Sequence, residues 1–351
     1  MELSHRKLLS DALDSAGFLK GSLQGASIYV AGGSGFLAAS LIAFLWEFNG
    51  RFDAKIKFYA SARRPQEKVP LFGFLGTNPE VEWQVAPVET AEVPQVDDLI
   101  IVHAASYGAS GDYMRHPMAT FSANTTGLVR LFEQAQQRKA RQLVFLSSAE
   151  VYGQPPDEAI PTKEDHVGCL NSLSSRSIYS ESKRMAEVLG TCMAEAGGVP
   201  FTVVRPWNIY GPGQRLEDGR VPLDFVLQAV KQKAIRLLSN GATRRSFCFV
   251  WDGIRQIVST LGRENKVEAF NVGNGEAEIS MLELARQCAE ACGLTGKDVS
   301  FNPAAKAGGM QRCCPHVGRV LELWPKPFSF TPLGAGIAPV ASWVRFLLNA
   351  N

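Results

Sequence analysis

The chain has 351 residues, of which 46% are apolar and 20% charged, and a formal net charge of +2. This is an ordinary globular composition, long enough for one large or two modest domains, with no basic surplus to imply a nucleic-acid partner. No apolar run reaches the roughly 18 residues of a membrane span, so no membrane association is expected. Seven cysteines show no C-x-x-C spacing and five histidines are scattered. Reduced thiols, no metal site and a cytoplasmic location are therefore expected.

In chain order, an amphipathic helix is expected from Leu3 to Leu19. From Ser27 onward, apolar strands alternate with helices: Ser27–Ala31 is a strand, and a helix follows to about Phe48. Further strands are expected at Lys55–Ala60, Val81–Val85, Leu99–His103, Gln142–Leu146 and Phe201–Val204. Helices are expected over about Met118–Arg138 and Ile178–Ala196. Such alternation predicts an α/β fold, a Rossmann-type doubly wound parallel sheet covered on both faces. After Arg205-Pro206 the chain becomes rich in Gly, Pro and polar residues, which reads as a smaller C-terminal substrate-binding lobe. The expected division is a helical extension (1–24), a dinucleotide-binding part (25–205 plus about 246–275) and a lobe (about 206–245 plus 276–351).

Gly32-Gly-Ser-Gly-Phe-Leu-Ala38 lies between the first strand and its helix. Glycines let a backbone approach a pyrophosphate, and the helix amides supply donors, so Gly32, Gly35, Phe36 and Leu37 are candidate cofactor residues. The second strand ends in Ala60-Ser-Ala-Arg63-Arg64, with no acid for a ribose hydroxyl. Arg63 and Arg64 lean toward a 2′-phosphate, which leaves the cofactor as NAD or NADP. Tyr179 and Lys183 stand four apart on a predicted helix and so share a face. An ammonium there is expected to lower the phenol's pKa and make Tyr179 an acid/base group.

These motifs, with His103-Ala-Ala105, Asn124-Thr-Thr-Gly127, Ser147-Ser-Ala-Glu-Val-Tyr-Gly153 and Arg205-Pro-Trp-Asn-Ile-Tyr-Gly-Pro212, occur in the order found in extended short-chain dehydrogenases/reductases. The chain resembles the NAD-dependent epimerase/dehydratase branch acting on nucleotide sugars. Tyr113-Met-Arg-His-Pro117, Asp224–Ala229 and Gly241–Phe247 are most similar to UDP-glucuronate decarboxylases, and the Ser148/Glu150 segment also to dTDP-glucose 4,6-dehydratases.

The resemblance implies catalytic roles for Tyr179, Lys183, Ser148 and Glu150. It implies cofactor contacts from Ala104, Ala105, Asn124, Tyr179 and Lys183. It implies substrate contacts from Ser148, Asn208, Arg245, its neighbour Arg244, and Arg312. Ala149 stands where dehydratases carry an aspartate, and Arg312-Cys-Cys-Pro-His316 departs from the family's Arg-x-Pro-Asp. The implied activity is oxidation of a nucleotide-linked sugar at C4 followed by dehydratase- or decarboxylase-type chemistry at C5 or C6. A 4-ketosugar reductase, a 4-epimerase and an inactive dinucleotide-binding scaffold are the alternatives. Members of the family commonly dimerise through two helices per subunit, so a homodimer is expected through the segments near Met118–Arg138 and Ile178–Ala196.

Overall fold

Side chains of the central strands alternate between two cores, one on each face of the sheet. A computed structural model describes residues 3–64, 69–276, 278–305 and 311–350. Seven strands, β1 (Ser27–Ala31), β2 (Lys57–Ala62), β3 (Val81–Val85), β4 (Leu99–His103), β5 (Gln142–Leu146), β6 (Phe201–Pro206) and β7 (Val267–Val272), form the main sheet. Its order is β7-β6-β5-β4-β1-β2-β3, and every pairing is parallel. All residues of β1, β4 and β5 are buried, as expected of strands covered on both faces. Ile28, Val30, Ile100, Val102, Val144 and Leu146 enter one core, while Tyr29, Ile101, Leu143 and Phe145 enter the other.

One face is covered by α1 (Leu3–Ala16) and α2 (Phe36–Phe52). The other carries α3 (Pro117–Asn124), α4 (Thr126–Gln137) and α5 (Ser177–Gly197). The N-terminal helix is an integral part of its core: Leu9, Leu13 and Ala16 are buried in it, and Asp14 pairs with Arg51 at 2.7 Å. Two boundaries differ from expectation. The Asn49 amide takes both backbone groups of Ile56, so β2 starts at Lys57 instead of Lys55. The helix expected over 118–138 is broken at Thr125, whose hydroxyl donates to the Phe121 carbonyl, a local bond that competes with the helical ladder.

Past β6 the chain builds α6 (Leu223–Gln232), α7 (Val250–Ser259), α8 (Met281–Ala291) and α9 (Leu333–Ala350), with three small sheets between them. One of these joins Arg244–Ser246 to Glu278–Ser280 and Arg312–Cys313. The strand order of the main sheet reverses between β1 and β4, and ligands of such sheets bind outside the carboxyl ends at that point. A cleft of about 1580 Å³ opens there. Among the described residues, no helix is long and apolar enough to cross a membrane, and no group of side chains could hold a metal ion.

Candidate active site

The phosphate end of the cleft is made by backbone. Gly32 has φ +81, and a Cβ there would lie 2.6 Å from the Cα of Ala105, so only glycine permits the loop after β4 to close in. Gly35 is the N-cap of α2 and has no side chain to cap it, so the first-turn amides face the cleft beside Ser34, Phe36 and Leu37. A helix N-terminus of this kind, with no carboxylate competing for its amides, fits a dinucleotide pyrophosphate. Ala104 lines the cleft, whereas Gly32 and Ala105 shape it from beneath. At the end of β2, the Ser61 hydroxyl accepts a bond from Tyr29 at 2.9 Å. Arg63 and Arg64 both line the cleft, and the Arg63 guanidinium sits 4.1 Å over the Tyr107 ring.

At the other side of the cleft, α5 presents Tyr179, Lys183 and Glu187 one turn apart on one face. The Lys183 side chain is 2% exposed and donates to the Leu146 carbonyl at 2.6 Å, with its nitrogen 4.5 Å from the Phe145 ring centre. Burial pulls its pKa down to about 7 against the opposing charge of Glu187. The Tyr179 hydroxyl is pushed up to about 12, first by burial and then by the charge of Glu150. A nearby arginine, Arg220, and a hydrogen bond with Ser148 pull the other way.

This corrects the expectation that Lys183 lowers the pKa of Tyr179. The ammonium stands 5.9 Å from the tyrosine ring centre and is spent on a carbonyl, so desolvation prevails and the protein alone holds a phenol. His103 is wholly buried beside Lys183; burial and that cation hold its pKa down to about 3. The neutral ring donates from Nε2 to the Ala123 carbonyl at 3.0 Å.

Ser148 and Glu150 arrive on the turn that follows β5. Ser148 accepts from the Glu150 amide at 3.1 Å and caps a short helical turn. Burial raises the Glu150 pKa although Arg176, Arg220 and Arg245 all oppose it. Those three arginines line the same cleft. Arg220 also donates to the Gly108 carbonyl, while the buried Nε of Arg245 has no partner among the described residues. The fully buried Tyr113 stacks on Tyr179 at 5.0 Å with an 11° tilt, and its hydroxyl has no partner among the described residues.

Other expected residues fall elsewhere. Asn124 does not line the cleft: it is buried between α3 and α5, donating to the Ser182 hydroxyl at 2.9 Å, which donates in turn to the Tyr179 carbonyl. It braces the helix that carries the tyrosine. Asn208 does line the cleft, but its amide is held by the Ser246 carbonyl at 3.0 Å and by Cys313 Sγ at 3.4 Å.

Arg244 and Arg312 do not line the cleft, contrary to expectation. Successive strand residues point to opposite faces, so Arg245 turns toward the cleft and Arg244 away from it. Arg312 pairs in register with Arg244 and shares its face. There Arg312 binds Glu278 through two bonds of 3.0 and 2.8 Å, and Arg244 donates to the Glu278 carbonyl at 2.8 Å.

Arg176 and Arg220 were missed from sequence. Arg176 lies three residues before Tyr179, which was a usable signal. Arg220 sits on a loop whose approach to Gly108 is wholly tertiary.

Similarity to known proteins follows this geometry. The profile of the NAD dependent epimerase/dehydratase family matches residues 28–273. UDP-glucuronic acid decarboxylase 1 of Arabidopsis thaliana is 34% identical over 261 residues, 74% of this chain and 56% of that protein. Its namesake in Xenopus tropicalis is 28% identical over 81% of this chain and 64% of its own length. The chain thus spans rather over half the length of these curated relatives. In fold it is similar to UDP-glucose 4-epimerase of Thermotoga maritima, with a TM-score of 0.75 at 20% identity over 92% of this chain and 99% of that one. It is also similar to dTDP-glucose 4,6-dehydratase of Bacillus anthracis in complex with NAD, with a TM-score of 0.72 at 21% identity over 91% and 96%. A glycine cradle at the switch point, a buried Tyr/Lys helix and a profile match over most of the chain agree: this protein belongs to the NAD dependent epimerase/dehydratase family.

Proposed function

We propose that the chain is a nucleotide-sugar enzyme that oxidises C4 to a transient ketone and then works at C5 or C6, in the manner of a dehydratase or decarboxylase. One observation carries this reading: Arg176, Arg220 and Arg245 converge on Glu150 beside the hydrogen-bonded Ser148 and Tyr179. When bound, a nicotinamide dinucleotide accepts hydride from C4 and can return it. Its positive oxidised ring would favour the phenolate that the protein alone does not hold; Tyr179 in that form would take the proton of the 4-hydroxyl, and Ser148 would bond the same oxygen. A C4 ketone acidifies C5, and a C5 carboxylate can then leave as carbon dioxide, its bonding electrons passing into the enolate. Glu150, whose burial favours the protonated form, would supply the C5 proton. Ala149 offers no acid for a departing 6-hydroxyl, and three guanidiniums suit a carboxylate or diphosphate, so decarboxylation is the favoured branch. The names of the curated relatives support it.

The proposal keeps the expected division, with 25–205 plus about 246–275 holding the dinucleotide and about 206–245 plus 276–351 holding the nucleotide sugar. It includes a second copy of the chain, packed through the segments near Met118–Arg138 and Ile178–Ala196, which are α3 with α4, and α5. Met118 and Phe121 on α3 and Met185 and Val188 on α5 are exposed apolar residues that such a four-helix contact would cover. Light scattering that finds a monomer at micromolar concentration would remove the dimer. A cytoplasmic setting, supported by seven thiols without a disulfide, belongs to the same reading.

A second reading, an NADPH-consuming 4-ketosugar reductase, is favoured by Arg63 and Arg64 at an acid-free strand end. The test is incubation with a panel of nucleotide sugars, followed by mass and absorbance measurement. Loss of carbon dioxide without net change in nicotinamide absorbance is the expected result. Stoichiometric loss of NADPH signal with a 4-ketosugar would replace the first reading by the second.

A further inference from the structure

Asp112 is a cleft carboxylate that no expected role absorbs, and the segment bonded to it, 213–220, touches both lips of the dinucleotide crevice. That crevice lies at the switch point, between the loop after β1 and the loop after β4. All of 213–220 lines the cleft. At its first end, a Cβ on Gly213 would come within 3.2 Å of Phe36, the first residue of α2, and 3.3 Å of Leu71. Further along, Arg215 pairs with Asp112 and Arg220 donates to the Gly108 carbonyl, both in the stretch that follows β4. One segment therefore passes from the glycine-loop side of the crevice to the β4 side.

Its two ends are held differently. The Gln214 side chain is fully buried, and its oxygen accepts from the Gly211 amide at 3.2 Å. The Gln214 backbone carbonyl accepts from the Trp343 indole of α9 at 2.8 Å, so this end is anchored in the core. At the other end, the Arg215 side chain is 63% exposed and binds Asp112 and, at 2.8 Å, Asp218. Arg115 brings Asp112 a second cation at 2.7 Å. The Arg215 guanidinium holds the Asp112 carboxyl below the usual carboxylate range, so the pair is ionic at neutral pH. Gly213 and Gly219, with φ of +105 and +61, bound the intervening turn in backbone conformations that side chains disfavour. Small residues at such positions commonly serve as hinges.

We propose that 213–220 is a strap over the bound dinucleotide, anchored at Gln214 and clasped by Arg215–Asp112 and Arg220–Gly108, whose opening sets the rate of dinucleotide exchange. A dinucleotide that crosses the switch point with its pyrophosphate on α2 has to pass beneath this segment. The clasp is an exposed ion pair and one bond to a backbone carbonyl, so it opens without unpacking the core. Retention through both hydride transfers suits an enzyme that returns the hydride, so the clasp favours the redox-neutral reading over the reductase. Only that link rests on the reading above; the statement on exchange holds whichever sugar is turned over.

The test follows NADH in stopped flow by energy transfer from tryptophan, without sugar. Association is read on adding NADH, and release on chasing with excess NAD. Asp112→Asn and Arg215→Gln should each raise both rates by about threefold to fivefold, the size expected of an exposed ion pair, and move affinity by about twofold or less. The double variant should be no faster than either single one, because both open the same clasp. Unchanged rates overturn the proposal. So does faster release with unchanged association, since Asp112 would then steady the bound state without gating it. Faster association with slower release overturns it too, because the Asp112 charge would merely be repelling phosphate. In about 0.5 M salt, release should speed up more in the unaltered chain than in the double variant, and equal acceleration counts against the clasp. Faster exchange in the variants, combined with no turnover on any nucleotide sugar, would retain this inference and defeat the functional reading.

Discussion

The two ends of the cleft are built on different principles. At the phosphate end, consecutive residues of one strand–turn–helix unit supply the amides, with the loop after β4 closing on them at Ala105, so most of that end is contiguous in the chain. At the Glu150 end, the turn after β5, the start of α5, the loop at Arg220 and the strand at Arg245 each contribute one side chain. The first end is fixed by glycine sterics; the second depends on how separate segments are brought together, and on burial outweighing charge. Mutations should therefore separate the ends: changes at the first abolish dinucleotide binding, whereas changes at the second spare it.

The largest effect is expected at their junction. Tyr179→Phe removes the buried α5 hydroxyl that bonds Ser148, and turnover should fall by roughly 10²–10⁴-fold, the range of a lost general acid/base. Dinucleotide affinity, read by fluorescence titration, should change little. Retained turnover would end the catalytic reading of both ends. Next comes Gly32→Val, which asks for a side chain where a Cβ already meets Ala105 at 2.6 Å, on a backbone with φ +81. Dinucleotide affinity should fall by about a hundredfold or more, with nucleotide-sugar binding by calorimetry largely kept. Equal loss of both would erase the distinction between the ends.

How far each end was legible follows the same division. The parallel sheet, the glycine loop and the Tyr179–Lys183 face could be read because periodicity and spacing are local properties of the chain. The start of β2 was misplaced because the Asn49 side chain, seven residues back, claims the backbone of Ile56. The arginines were harder. Which of two adjacent guanidiniums faces the cleft depends on strand register, and the Arg244–Arg312 pairing joins segments 68 positions apart. The charge state of Tyr179 was misjudged because spacing shows the ammonium but not the water that burial removes.

Burial at Lys183 makes a stability prediction with a definite sign. Its folded pKa lies near 7 and its unfolded value near 10.5, so between those limits the unfolded chain binds more protons. Native stability should accordingly rise with pH through that window and be flat below it. Tyr179 acts oppositely above it: the folded protein keeps a proton to about 12 that the unfolded chain releases near 10, so stability falls there. Lys183→Met should flatten the rise and gain on the order of 2 kcal/mol near pH 6, where the buried ammonium costs most. Urea midpoints measured from pH 6 to 10 read this, and an unchanged slope in the variant would show that Lys183 is not the titrating group.

The smallest effects bear most sharply on the Glu150 end, because they set arginines of equal charge against each other. Arg220→Gln and Arg176→Gln each remove a cation that opposes the raised pKa of Glu150, so the carboxyl should titrate higher still and the apparent KM for an anionic sugar should rise about tenfold. Arg312→Ala also removes a guanidinium, one whose bidentate partner is Glu278 on the opposite face of the small sheet. Its pairing is partly exposed, so the loss in stability should stay within about 1 kcal/mol and KM should move twofold or less. If net charge alone steered substrate, all three variants would weaken KM alike and the effect would vanish in high salt. A response confined to Arg176 and Arg220, and persisting in salt, is what register-directed side chains in a buried cleft require; an equal response from Arg312 would mean that this strand turns its other face to the substrate.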